Sequence, residues 1–101
     1  LGRVLFEVGK INLGAQAREA IATVLAALKA EPALKVALSG FADKTGNADK
    51  NMALAKERAM AVREALRTGG IAEDRMLLRK PEFVMDGAQA DARRVDIVAA
   101  R

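Results

Sequence analysis

The sequence predicts an α/β fold, an α+β sandwich with the order βαβαββ, in which two helices pack on one face of a mixed four-stranded sheet. Three observations predict it. Two stretches carry apolar residues at the three-and-four spacing of a buried helix face, and short stretches around them alternate apolar and polar residues as strands do. Pro32 and the pair Gly69-Gly70 punctuate the boundaries between the two kinds. At 101 residues the chain has the size of one domain, expected to span residues 1–101.

Residues Arg3–Val8 alternate loosely, with Val4, Phe6 and Val8 on one side, and read as the first strand. Asn12 or Gly14 then opens a helix whose Ile21, Val24, Leu25 and Leu28 form one apolar stripe. Pro32 ends it, because the residue before a proline is pushed out of helical space. Leu34, Val36 and Leu38 alternate with Lys35, Ala37 and Ser39, which predicts a half-buried strand stopping at Gly40. A polar stretch, Asp43–Asp49, follows, and Asn47 or Asp49 caps the second helix. Met52, Ala55, Ala59, Val62 and Leu66 form its core face, and Gly69-Gly70 stops it. Met76–Arg79 and Arg94–Val98 read as short strands, with Pro81–Ala92 between them a loop turning at Asp86-Gly87. Helices alternating with strands require at least one crossover, hence a mixed sheet.

Composition narrows the chemistry. The chain has no Cys, His, Trp or Tyr, which excludes Cys/His zinc sites, Cys or Ser–His nucleophiles, His acid–base catalysis and disulfide scaffolds. Ser39, the only serine, sits on a strand without a base beside it and reads as structural. No enzyme and no cofactor is expected. Alanine is the commonest residue, so the core is small and the bias is toward helix. The balance of 17 Lys+Arg against 13 Asp+Glu gives +4, but the charges are interspersed. Arg79-Lys80 and Arg93-Arg94 are the only adjacent basic pairs, and without interleaved aromatics they make no nucleic-acid footprint. No run of about 18 uncharged apolar residues occurs, so no membrane-spanning helix is predicted. The chain starts at Leu1 rather than Met and shows no signal peptide, which predicts a piece cut from a longer protein.

The informative stretch is Ser39–Ala59. Asp43 lies just past the carboxyl end of a strand, the edge where open α/β sheets place ligands, and Gly46 lets the loop turn tightly. On the helix that follows, Asn51 and Arg58 share one flank about 10 Å apart along the axis. The Arg58 side chain leans toward the helix N-terminus, back to the loop of Asp43, so a carboxylate and a guanidinium are expected side by side at a partly exposed rim. Two readings follow. One is a surface salt bridge that pins the loop, worth ~0–1 kcal/mol. The other is a receptor for a zwitterion, in which Asp43 takes an ammonium and Arg58 a carboxylate.

The pattern Gly40-x-x-Asp43-x-x-Gly46-x4-Asn51-x2-Leu54-Ala55-x2-Arg58-Ala59-x2-Val62-x3-Leu66 continues to Gly70-Ile71, Arg75 and Arg93-Arg94-Val95-Asp96-Ile97. In this it resembles the OmpA/MotB-type peptidoglycan-associated domain over nearly the whole chain. The resemblance implies a periplasmic, non-enzymatic domain of an envelope protein. It would bind the diaminopimelate unit of the peptidoglycan stem peptide and tether a membrane-anchored partner to the cell wall. By its motifs Asp43 takes the ammonium side and Arg58 the carboxylate, while Asn51 orders the loop and Arg93 stands beside the site. The sequence departs from the family where Phe41 and Ala42 replace His and Thr, Ala55 replaces Ser, Ala92 replaces Asn, and Gly9 replaces a polar residue. Much of the polar surround of the charge pair is therefore gone. The alternative is a fold that has lost ligand binding and serves as a dimerisation or docking module, which leaves a homodimer open as a partner.

Other constellations are weaker. Asp43, Asn47, Asp49 and Asn51 lack the alternation and terminal bidentate Glu of a calcium loop, so capping explains them better and no metal is expected. Phe41 and Phe83 read as packing residues, with Phe41 beside Asp43 also able to mark a protein contact.

Overall fold

The computed structural model describes residues 1–7, 9–43, 46–84 and 93–100. Its elements are β1 (Gly2–Leu5), α1 (Ala15–Ala30), β2 (Lys35–Ala42), α2 (Ala48–Thr68), a 3-10 turn (Glu73–Arg75), β3 (Met76–Leu78), β4 (Glu82–Phe83) and β5 (Arg94–Ala100). The strands lie in the order β1-β5-β2-β3, with β4 also paired to β2. β5 is antiparallel to both β1 and β2, whereas β3 and β4 run parallel to β2. The sheet is therefore mixed, as the alternation of helices and strands requires, and the two helices close one of its faces.

Their packing makes the core. Val4, Val24, Leu28, Val36, Leu38, Val62, Leu66, Val95 and Ile97 are fully buried, each worth about 1.5–3 kcal/mol of transfer free energy. Ile21, Val24 and Leu28 deliver the predicted stripe of α1, with Leu25 packed against its edge. Gly14 is the N-cap of α1, and Asn12 is not. The Gln16 amide ties this helix start to β1, donating to the Arg3 carbonyl and accepting from the Leu5 amide, both at 3.0 Å. Glu31 ends α1, one residue before Pro32. On α2, Asn47 is the cap, its side chain accepting from the Lys50 amide, and Gly70 at φ +106 follows the last turn.

Several boundaries differ from the sequence pattern. β1 ends at Leu5, and the ladder continues one step through the Phe6 amide bonded to the Arg93 carbonyl; Val8 lies outside the described residues. β2 runs past Gly40 to Ala42, because β4 pairs with its last two residues. It is also more than half-buried, since Val36, Ala37 and Leu38 are all fully covered. Ala37 faces away from the helices, where its ladder partners Leu77 and Val98 flank it and shelter so small a side chain. β3 stops at Leu78, and β5 extends to Ala100. The expected loop after Pro81 holds the short β4 and brings the sheet to five strands, while Asp86-Gly87 lies outside the described residues.

The approach of α2 to the sheet is set by Gly40. A Cβ built there would stand 2.5 Å from the Ala55 carbonyl oxygen, so the helix backbone sits almost directly on the strand. That contact fixes how close Arg58, one turn further along α2, comes to the strand ends.

Candidate functional site

The carboxyl end of β2 and the first half of α2 frame the site. Asp43 follows the last residue of β2, and its carbonyl accepts a 2.9 Å bond from Asn51 Nδ2. Asn51 thus holds the backbone at Asp43 to the first turns of α2. Gly46 adopts φ +71, the left-handed conformation that lets the chain turn back into α2 without a Cβ penalty. Asn47 and Asn51 are engaged as cap and loop tie, which accounts for two of the four residues of the calcium-like spacing. Among the described residues no group of three or more acidic, His or Cys side chains gathers in a way that holds a metal ion.

Arg58 behaves differently from the expectation. It is only 3% exposed, so it occupies no open rim. Its side chain leans back along α2, as helix geometry demands, and meets the segment after β1. Nε donates to the Lys10 carbonyl at 2.9 Å and Nη2 to the Glu7 carbonyl at 3.0 Å. The guanidinium carbon lies 5.3 Å from the centroid of the Phe6 ring, a cation–π contact. Among the described residues no ion pair joins Arg58 to Asp43; the four present are Arg3–Asp96, Lys10–Glu7, Arg67–Glu64 and Arg94–Asp96. The expected pinning salt bridge is therefore replaced by a clamp on backbone carbonyls. No buried side-chain nitrogen or oxygen lacks a partner among the described residues, and Nη1 takes part in none of the bonds to Lys10 and Glu7.

Arg93 stands on the same segment from the other side, its Nε donating to the Phe6 carbonyl at 3.2 Å. Two guanidinium groups thus grip Phe6–Lys10 from α2 and from the start of β5. Burial first, and the like charge of Arg93 second, pull the pKa of Arg58 below its ordinary value. The group stays protonated, because arginine starts so far above neutrality. The two guanidinium groups therefore place like positive charges against one backbone segment.

Of the four residues expected at the site, Arg58 and Arg93 meet at one segment, and Asp43 and Asn51 meet at another, with α2 carrying one member of each pair. Sequence reasoning missed the Glu7 and Lys10 carbonyls and the Phe6 ring. Phe6, at the end of an alternating strand, was the one visible signal for them. Sequence reasoning named Arg75 in the pattern but missed its contacts: Arg75 donates to the carbonyls of Leu28, Glu31 and Leu34 and so ties the end of α1 to the approach to β2. Among the departures, Ala42 and Ala55 are buried packing residues, and Ala55 is the one that meets Gly40. Phe41 carries the Arg94 guanidinium at 4.1 Å from its ring centroid, a surface contact more than a core one. Gly9, at φ +68, lies between the two clamped carbonyls; Ala92 lies outside the described residues.

The OmpA family matches residues 5–95. No curated protein matches the chain. Among solved structures, the peptidoglycan-associated lipoprotein from Burkholderia pseudomallei superposes with a TM-score of 0.82 at 24% identity, covering 99% of this chain and 91% of that one. A MotB-like protein from Desulfovibrio vulgaris gives 0.80 at 23% identity, over 98% of this chain and 73% of that one. The C-terminal domain of Helicobacter pylori MotB gives 0.77 at 15% identity, over 100% and 85%. At these identities the likeness is one of fold.

Proposed function

The chain belongs to the OmpA family, and from that premise we propose that it is a non-enzymatic module that binds the peptidoglycan stem peptide without cutting it. In this reading it sits in the periplasm and ties a membrane-anchored partner to the cell wall. The guest is the diaminopimelate unit, a zwitterion. Its carboxylate approaches Arg58 Nη1 with Arg93 alongside, and its ammonium is taken by Asp43, whose loop Asn51 holds in place.

The observation that carries this reading is the pair of guanidinium groups gripping one segment, with the Arg58 pKa lowered by burial and by Arg93. A carboxylate beside them offsets both penalties, and each charge-assisted hydrogen bond is worth ~1.5–3 kcal/mol. A few such bonds, less the entropy of association, give roughly millimolar to micromolar affinity for one unit. Repeated units along a polymer then supply avidity.

Co-sedimentation with purified sacculi tests the reading. Asp43→Asn removes the charge while keeping shape, and is expected to lower retention per folded molecule. Retention equal to wild type in that variant rejects the assigned pair. One observation favours a second reading, a docking or dimerisation module: protein carbonyls already occupy two nitrogens of Arg58. No retention on sacculi, together with dimer formation in solution, selects that reading.

A further inference from the structure

A second concavity lies on the other flank of α2 from Arg58, and nothing above uses it. β3 and β4 act as one edge strand interrupted by a bulge. Leu38 pairs with Leu78 and Phe41 with Glu82, so three steps along β2 face four along the edge. The ladder resumes on both sides of the interruption, through the Arg79 amide to the Leu38 carbonyl and the Val84 amide to the Ala42 carbonyl. Pro81 sits at the bulge, where a strand tolerates proline. Between the bulge and α2 opens a groove of about 550 Å³, within the range of ligand-sized clefts.

Its floor is apolar, made by half-buried Met52, Leu78 and Pro81. Its walls are cationic. Lys56 stands on α2, Arg79 and Lys80 stand opposite on the edge, and all three are exposed. Asp49 is the one acidic residue in the lining, and none of the three cations is in an ion pair among the described residues. Cations on two facing walls above an apolar floor fit a narrow guest with an apolar centre and negative flanks.

We propose that this groove docks an acidic peptide segment of a partner protein, with one aliphatic side chain on Met52, Leu78 and Pro81 and carboxylates on Lys56, Arg79 and Lys80. The site is separate from the Asp43–Arg58 region and does not depend on the cell-wall reading.

The probe is the synthetic peptide acetyl-Asp-Glu-Leu-Glu-Asp-amide, titrated into the chain while backbone amide resonances are followed. The expected result is saturable shifts confined to the Met52–Lys56 and Leu78–Lys80 stretches. Affinity should fall about tenfold when Leu is replaced by Ser in the peptide, and by at least as much in the Lys56→Glu/Lys80→Glu chain. That variant changes two exposed side chains and should melt with wild type. Shifts of equal size in the variant, shifts spread over the whole surface, or none at millimolar peptide would each overturn the proposal. Equal binding of the Leu and Ser peptides would reduce it to a general charge effect and overturn the anchor. Binding to anionic vesicles with no response to the peptide would do the same.

Discussion

Arg58 clamps the backbone after β1, and in the proposed reading it would also meet the guest, so a substitution there acts on both at once. Arg58→Ala strips the Glu7 and Lys10 carbonyls of their side-chain donor, although the Glu7 carbonyl keeps the Lys10 amide, so the cost is about 0.5–1.5 kcal/mol per bond lost. Loss of sacculus binding in that variant would therefore mix unfolding with lost contact, which is why Asp43→Asn is the cleaner probe. Arg75→Ala should behave as a purely structural lesion. It removes the side-chain donor from three carbonyls between the last turn of α1 and the start of β2, and thermal melting should fall by about 4–8 °C per kcal/mol lost, with binding per folded molecule unchanged. The two arginines also mark how far single residues were legible. The interval from Asn51 to Arg58 put both on one flank of a helix from sequence alone. What each reaches was not legible, because Glu7 and Lys10 are some fifty positions away and their carbonyls carry no residue-type signal. Arg75 was equally opaque: its acceptors are backbone atoms of another element.

At the scale of elements, the closest constraint is β2 against α2. Gly40→Ala would drive a Cβ to 2.5 Å from a helix carbonyl that cannot yield without moving the helix. The expected cost is about 1–3 kcal/mol, read as a lower midpoint in denaturant, with Gly46→Ala costing about 1 kcal/mol through φ +71 alone. A midpoint for Gly40→Ala equal to wild type would mean that α2 stands farther from the sheet than described. Helices α1 and α2 were readable to within a residue or two because their stripes repeat over several turns and their stops are Pro32 and Gly69. β4 was not, since two residues hold no period, and its existence depends on β2 offering it a partner. The far end of β2 was lost for the same reason: Gly40 looks like a breaker, but a helix backbone pressed on the strand requires it.

Across the whole molecule, charge rather than pH is the working variable. The chain has no His, Cys or Tyr, so no ordinary side chain titrates near neutrality and melting temperature should be flat from about pH 5.5 to 7. The hydrogen bond from Arg67 holds Glu64 below its usual carboxylate value. Such a group adds stability that persists above its unfolded pKa and fades as pH falls through the lower folded one, so losses should appear only in acid, below about pH 4. A melting transition that moves within the neutral window would mean a titrating group not accounted for here. The lowered pKa of Arg58 has no bearing in that window, because the group stays protonated throughout it. The most direct measurement is a titration with free diaminopimelate, following the Nε–H resonances of Arg58 and Arg93 and the Asp43 amide. All three should shift together to one midpoint, and Asp43→Asn should weaken it. Arginine resonances that stay fixed while the free diamino acid is raised well past millimolar would contradict the account.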